Sequence, residues 1–145
     1  MNRISFSKSQ FVYAAADYIA RQFEDVLKQK EHINVALSGG TSPLPVYEKL
    51  REFSIEWERI CFYLVDEREV PLFDAQNNFQ NISKSLFEHI PSKSYWIHDG
   101  TKAAAISTRE FEEILLKNIP KSNGHIQFDF ILLGMGLDGH TASLF

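Results

Sequence analysis

Phe128-Asp-Phe-Ile-Leu-Leu133, followed at once by Gly134-Met-Gly-Leu-Asp-Gly-His-Thr-Ala-Ser-Leu-Phe145, is the stretch on which the reading of this chain turns. The first half is an apolar and aromatic run, too short for a typical helix and suited to a buried strand. The second half opens with glycines, which make a tight turn where backbone can approach a ligand closely. Asp138 and His140 lie inside that turn. In an open α/β sheet, ligands bind at the carboxyl ends of the strands. One strand end therefore brings bare N–H groups, a carboxylate and an imidazole together, which reads as a reaction centre.

Two earlier segments repeat the pattern of apolar strand and polar turn. Ile33-Asn-Val-Ala-Leu37 runs into Ser38-Gly-Gly-Thr-Ser-Pro43, and Ile60-Cys-Phe-Tyr-Leu-Val65 into Asp66-Glu-Arg-Glu-Val-Pro71. Helical patterns lie between. Phe11, Ala15, Tyr18, Ile19, Gln22, Phe23 and Val26 form an apolar stripe, with Ser7 or Ser9 as its cap. Ser42 as N-cap and Pro43 at the first helical position start a helix that buries Val46, Tyr47, Leu50 and Phe53. Asn77 or Asn78 caps a helix carrying Phe79, Ile82, Leu86 and Ile90. Tyr95-Trp-Ile97 is a short strand, Asp99-Gly100 a turn, and Thr101 the cap of a helix with Ala104, Thr108, Phe111 and Leu115 on one side. Residues 1–6 read as a short edge strand, and residues 72–76 and 120–124 as loops. The alternation implies crossover connections and an α/β fold with a mostly parallel sheet. The strands at 33–37, 60–65 and 128–133 are apolar on both faces, as strands covered by helices should be. Their turns, 38–41, 66–68 and 138–140, are expected in one crevice along one sheet edge.

The bulk numbers narrow the field. A chain of 145 residues suggests one domain, 1–145, and 44% hydrophobic with 23% charged residues is ordinary globular composition. A net charge of −4 without a dense basic block argues against nucleic acid or anionic membrane partners. Cys61 is the only cysteine, which excludes an intrachain disulfide and reads as a small core residue. The first residues lack a signal-peptide apolar core, and no run is long enough to span a membrane, so a cytoplasmic location is expected.

Each motif has a plain reading beside the functional one. Ser38, Gly39, Gly40 and Thr41 form a strand-to-helix turn whose amides attract anions, phosphate above all; the alternative is a plain tight turn. No Gly-Lys-Ser/Thr follows, so it is not a P-loop. Asp66, Glu67 and Arg68 offer a carboxylate and a guanidinium to a ligand, or else make a surface ion-pair cluster with Glu69 solvated. Asn78 is read as a cap whose role is compatible with a ligand contact. Gly134, Gly136 and Gly139 match the dinucleotide fingerprint formally, but Asp138 puts negative charge where a pyrophosphate would sit. His140 can act as general base near neutral pH, with Asp138 orienting it; the alternative is a capping Asp and a packed His. His32, His89, His98 and His125 are read as structural. No His or Cys cluster has metal-ligand spacing.

Three segments taken together resemble the 6-phosphogluconolactonases: Ala36-Leu-Ser-Gly-Gly-Thr-Ser-Pro43, Asp66-Glu-Arg-Glu-Val-Pro71 followed by Asn78, and Gly134-Met-Gly-Leu-Asp-Gly-His-Thr-Ala-Ser-Leu-Phe145. The related glucosamine-6-phosphate deaminases share Gly-x-Asp-Gly-His but usually continue Ile-Ala-Phe-Asn-Glu. Thr141 to Phe145 and Arg68 are similar to the lactonase instead. The resemblance implies a Rossmann-like sheet with helices on both faces and hydrolysis of 6-phosphogluconolactone in the oxidative pentose phosphate pathway, without metal or organic cofactor. His140 would activate water beside Asp138. The 38–41 turn, Asp66, Arg68, Asn78 and Gly136 would hold the sugar-phosphate lactone. Amides of the 134–139 turn, or Arg68, would stabilise the developing oxyanion. Family members continue well past this motif, so the chain is expected to be the N-terminal portion of a longer sugar-phosphate-binding domain, with a buried-type strand left uncovered. The alternatives are a glucosamine-6-phosphate deaminase or isomerase, with Asp66 removing a carbon-bound proton, and a non-catalytic sugar-phosphate-binding module.

Overall fold

The computed structural model describes residues 4–95, 102–136, 138–142 and 144. In chain order the elements are α1 (Phe11–Leu27), β1 (Ile33–Leu37), α2 (Leu44–Leu50), β2 (Ile60–Leu64), α3 (Asn78–Ser85), β3 (Lys93–Tyr95), α4 (Ala104–Asn118), β4 (Lys121–Ser122), β5 (His125–Ile126) and β6 (Phe130–Leu132). Among the described residues, β3-β2-β1-β6 form one sheet with every neighbouring pair parallel. The chain builds outward from β1 through β2 to β3, then crosses back to lay β6 on the other side of β1. That reversal is a topological switch point, where the loops leaving two adjacent strands diverge and open a crevice. Here it lies between the carboxyl ends of β1 and β6. The ladder extends to its rim, with Ser38 N donating to Leu132 O at 3.1 Å and Val65 N to Leu37 O at 3.0 Å.

Strand alternation divides the core. Ile33, Val35 and Leu37 of β1 and Ile60, Phe62 and Leu64 of β2 join Ala16, Ala20, Phe23 and Leu27 of α1, Val46, Tyr47 and Leu50 of α2, and Ile82 of α3. Cys61 and Tyr63 point the other way, into a smaller cluster with Phe111 of α4, Ile119 and Phe128. Helices thus cover both faces, and the larger core sits under α1, α2 and α3. Each large side chain withdrawn from water there contributes roughly 1.5–3 kcal/mol. The opposite sheet margin is sewn by polar groups. Asp129, its side chain 8% exposed, accepts the Asn34 amide at 2.7 Å and the Lys30 ammonium, anchoring β6 to β1. The Arg59 guanidinium donates to Leu27 O at 2.7 Å and Lys30 O at 2.6 Å, which satisfies carbonyls at the end of α1.

Several local expectations shift. Residues 4–6 lie in no strand, and residues 1–3 fall outside the described set. The buried face of α1 is Ala16, Ala20, Phe23 and Leu27, while Phe11 and Tyr18 are exposed and Ala15, Ile19 and Val26 flank the core. Alanines and the Phe23 ring fill the core side of α1, while the rings of Phe11, Tyr13 and Tyr18 stay exposed. Neither Ser7 nor Ser9 caps α1; Gln10 holds the cap position, and its side chain takes the Ser7 hydroxyl rather than a helix amide. α2 begins one residue later than expected, with Pro43 at the cap and its carbonyl taking the Val46 and Tyr47 amides. Asn77, not Asn78, caps α3, accepting from Gln80 N. The cap of α4 is Ala103; Thr101, the Asp99-Gly100 turn, His98 and the second and third residues of the expected 95–97 strand lie outside the described residues. β3 starts two residues earlier, at Lys93. The 120–124 loop is part of a hairpin: β4 and β5 pair antiparallel around Asn123 and Gly124, at φ 52 and 84, the left-handed pair such tight turns require. β6 is not buried on both faces. It is an edge strand, and Ile131 and Leu133 are more than half exposed.

Candidate active site

A crevice of about 220 Å³ opens at the switch point. Of the predicted site residues, Ser38, Gly39, Gly40, Thr41, Asp66, Arg68, Asn78, Gly136 and His140 all line it. Asp138 does not; it stands behind His140. Ser42, Pro43, Gly134 and Met135, read in sequence only as parts of the two turns, also line the crevice, as does Ala142, whose type carries no chemical signal of its own.

The wall after β1 is fixed from below. Tyr47, 1% exposed, donates its hydroxyl to Ser38 O at 2.9 Å. Burial pushes the Tyr47 hydroxyl well above its ordinary pKa, so it stays a neutral donor. A buried tyrosine needs a partner for its hydroxyl, and this was the available clue that Tyr47 serves the turn. Ser38 is itself 5% exposed, and its Oγ has no hydrogen-bond partner among the described residues. A buried hydroxyl without a partner on the wall of a crevice is a donor suited to a ligand oxygen. Gly39 and Gly40 are glycines for different reasons. Gly40 sits at φ +90 in open space, so its backbone conformation excludes a side chain. A Cβ on Gly39 would fall 2.1 Å from Asn78 Cγ, so the Asn78 side chain occupies that space. Asn78 is 4% exposed and donates from Nδ2 to Asp66 O at 3.2 Å, joining this wall to the turn after β2. Arg68 lies exposed on the rim. Glu67 turns away: its carboxylate accepts the amides of Arg68, Asn78 and Phe79, each at 2.7 Å. Asp66 is thus the carboxylate of this segment that faces the crevice.

The wall after β6 is a loop closed on itself. Gly136 N donates to His140 O at 2.8 Å, Gly139 N to Gly136 O at 3.0 Å, and Thr141 Oγ1 to Gly134 O at 2.8 Å. The Gly136 and Gly139 amides are therefore committed to the loop and are not the oxyanion donors expected from the sequence. Gly139 is at φ +89, whereas a Cβ on Gly136 would fall 2.3 Å from His140 Cε1 and 2.7 Å from Asp138 Oδ1. The imidazole and the carboxylate pack over Gly136. His140 Nδ1 lies 2.5 Å from Asp138 Oδ1, and the His140 amide approaches the same oxygen at 3.3 Å. The ring hydrogen bond, then the backbone one, holds the Asp138 carboxyl below its ordinary pKa of 3.8. An ionised carboxylate only accepts, so the proton sits on Nδ1 and Nε2 is the basic nitrogen. Leu137, Ser143 and Phe145 of this motif lie outside the described residues.

Other titratable groups are placed differently. His32 pairs with Glu31 at 3.6 Å, His89 meets Lys84 O at 3.0 Å, and His125 lies exposed in β5. Cys61 is half-buried, and burial pushes its thiol above the ordinary value, which disfavours the reactive thiolate. Among the described residues no group of three or more His, Cys, Asp or Glu is placed to hold a metal ion, and no helix is long and apolar enough to cross a membrane.

Comparison with known proteins bears on this geometry. Residues 7–145 match the family described as glucosamine-6-phosphate isomerases/6-phosphogluconolactonase. The 6-phosphogluconolactonase of Thermotoga maritima is 40% identical over 137 residues, covering 93% of this chain and 60% of the relative. That of Haemophilus influenzae is 38% identical over 151 residues, covering 100% of this chain and 62% of the relative. A crystal structure of the Thermotoga maritima 6-phosphogluconolactonase gives a TM-score of 0.84 at 40% identity, over 94% of this chain and 61% of that one. The chain thus spans 60–62% of the length of these curated relatives.

Proposed function

Because the chain belongs to the glucosamine-6-phosphate isomerase/6-phosphogluconolactonase family, we propose that its crevice hydrolyses 6-phospho-D-glucono-1,5-lactone to 6-phosphogluconate. One observation carries the reading: an imidazole oriented by a carboxylate stands across a small crevice from a turn whose buried hydroxyl has no partner among the described residues. Relatives named 6-phosphogluconolactonase support it, as does the Thr141 to Phe145 continuation after His140. Residues 1–145 contribute to one sugar-phosphate-binding domain, and a cytoplasmic setting suits a phosphorylated sugar substrate.

In this mechanism the 38–41 turn, with Ser38 Oγ, receives the phosphate, and Arg68 closes over it from the rim. Asp66 and Asn78 face the sugar hydroxyls. A water beside His140 attacks the lactone carbonyl carbon while Nε2 takes its proton. The new C–O bond forms as the carbonyl electrons move onto oxygen. When that charge returns, the ring ester bond breaks, and the leaving ring oxygen recovers the proton from the imidazolium. Asp138 holds Nδ1–H throughout and stabilises the charged ring. A lactone is an activated ester, so one general base suffices; such a base typically contributes about 10²–10⁴ in rate.

His140→Ala is expected to lower kcat by about 10²–10⁴ with little change in KM, measured by acidification or lactone disappearance above the spontaneous rate. Wild-type kcat in that variant would remove His140 from the chemistry. Ammonia release from glucosamine-6-phosphate would instead favour the deaminase reading. Binding of 6-phosphogluconate without turnover would favour a non-catalytic module.

A further inference from the structure

We propose that Glu67 is a positioning residue for the crevice: from behind the wall, it gathers the 66–68 turn and Asn78 into one rigid unit without meeting the ligand. Glu67 Oε1 accepts the amides of Arg68 and Asn78, and Oε2 accepts the amide of Phe79, all at 2.7 Å. The Asn78 and Phe79 amides open α3 and have no partner within the helix. Asn77 covers only the next amide, that of Gln80, at 2.8 Å. Capping of α3 is therefore divided between a neighbouring side chain and a carboxylate reaching across from the turn after β2.

The division has a consequence for the crevice. With its backbone held by Glu67, Asn78 projects a side chain that bonds Asp66 O and fills the space over Gly39. One carboxylate thus sets the separation of the 66–68 turn, the first residue of α3 and the 38–41 turn. It also occupies the helix start itself, a place that would otherwise attract an anion. A ligand phosphate is directed instead to the 38–41 turn, where Ser38 Oγ is unpartnered. This inference rests on the reading that the crevice takes a sugar phosphate.

The test compares Glu67→Gln with Asn77→Ala. Glu67→Gln keeps shape and one acceptor but turns an NH₂ toward amide donors. Affinity for 6-phosphogluconate, measured by titration calorimetry, is expected to fall about tenfold or more, as loss of charge-assisted hydrogen bonds implies. Asn77→Ala removes a cap from the same helix and lowers Tm, yet affinity stays within about twofold, because no crevice residue loses its support. In ligand-free protein, Glu67→Gln also shifts the Asn78 side-chain amide resonances. Equal affinity in Glu67→Gln and wild type, equal weakening by Asn77→Ala, or unshifted Asn78 resonances would overturn the proposal. If wild type binds no 6-phosphogluconate, the reading of the crevice fails, and the Asn78 resonances still decide the role of Glu67.

Discussion

The two glycine turns that face each other across the switch point are held in opposite ways. The 38–41 turn hangs from the core: Tyr47 grips Ser38 O from within the buried cluster, and Asn78 fills the space over Gly39. The 134–141 loop is held by its own backbone, and Met135 and Asp138 stand exposed upon it. An anion-binding surface works by presenting donors in a fixed array, so coupling it to the core makes it rigid. A general base must approach water and exchange protons, so its loop is ordered locally and left accessible. Damage to the first turn should therefore be felt in stability and binding together. Damage to the second should be felt chiefly in the chemistry.

The strongest attack on that contrast is Gly136→Ala. The new methyl would meet the His140 ring at 2.3 Å, and the ring, at a partly exposed position, has room to swing away. Misplacement of a catalytic group by about 1 Å can cost on the order of 10²-fold. Steady-state kinetics should show a kcat loss of that size with Tm nearly unchanged; a large drop in Tm would mean the loop is as tied to the core as its partner. Gly39→Ala is the mirror experiment. Its methyl meets a buried Asn78 bonded to Asp66, so overpacking should cost about 1–3 kcal/mol in denaturant unfolding, together with weaker phosphate binding. Loss of binding at full stability would break the coupling drawn here.

Tyr47→Phe sharpens the same point at smaller amplitude. It leaves Ser38 O without its donor in a buried setting, which should cost about 1–2 kcal/mol and lower affinity modestly, with kcat retained. The smallest effect concerns Asp138. In His140→Ala its carboxyl midpoint, followed by NMR, should rise toward 3.8, since the leading cause of its depression is gone. A depressed folded pKa contributes above the unfolded value near 3.8, and that contribution disappears as pH falls through the lower folded value. An unmoved midpoint would mean that the ring hydrogen bond does not hold Asp138.

Much of this was legible in the residues. Apolar runs of five or six residues ending in glycine or acid, alternating with helical stripes, can bury their faces in few ways other than a parallel sheet. A parallel sheet puts equivalent strand ends on one edge, which is why Ser38, Asp66 and His140 share one crevice. Local signals also announced His140 with Asp138, since residues two apart in a glycine turn fall within reach of each other.

What the residues did not announce are relations between segments distant in the chain. Strand order decides where the switch point falls, and it depends on which edge of β1 receives β6. The inward turn of Glu67 depends on where α3 begins relative to β2, and nothing in the Asp66-Glu67-Arg68 run distinguishes this carboxylate, which holds three amides, from its neighbour Asp66 on the crevice. Gly39 and Gly136 read in sequence as turn glycines that let a ligand approach the backbone, but each is small because another segment or side chain lies over it. Periodicity and turn chemistry are local quantities that a single sequence carries. The identity of the atom that will occupy a given space is settled only when the elements pack.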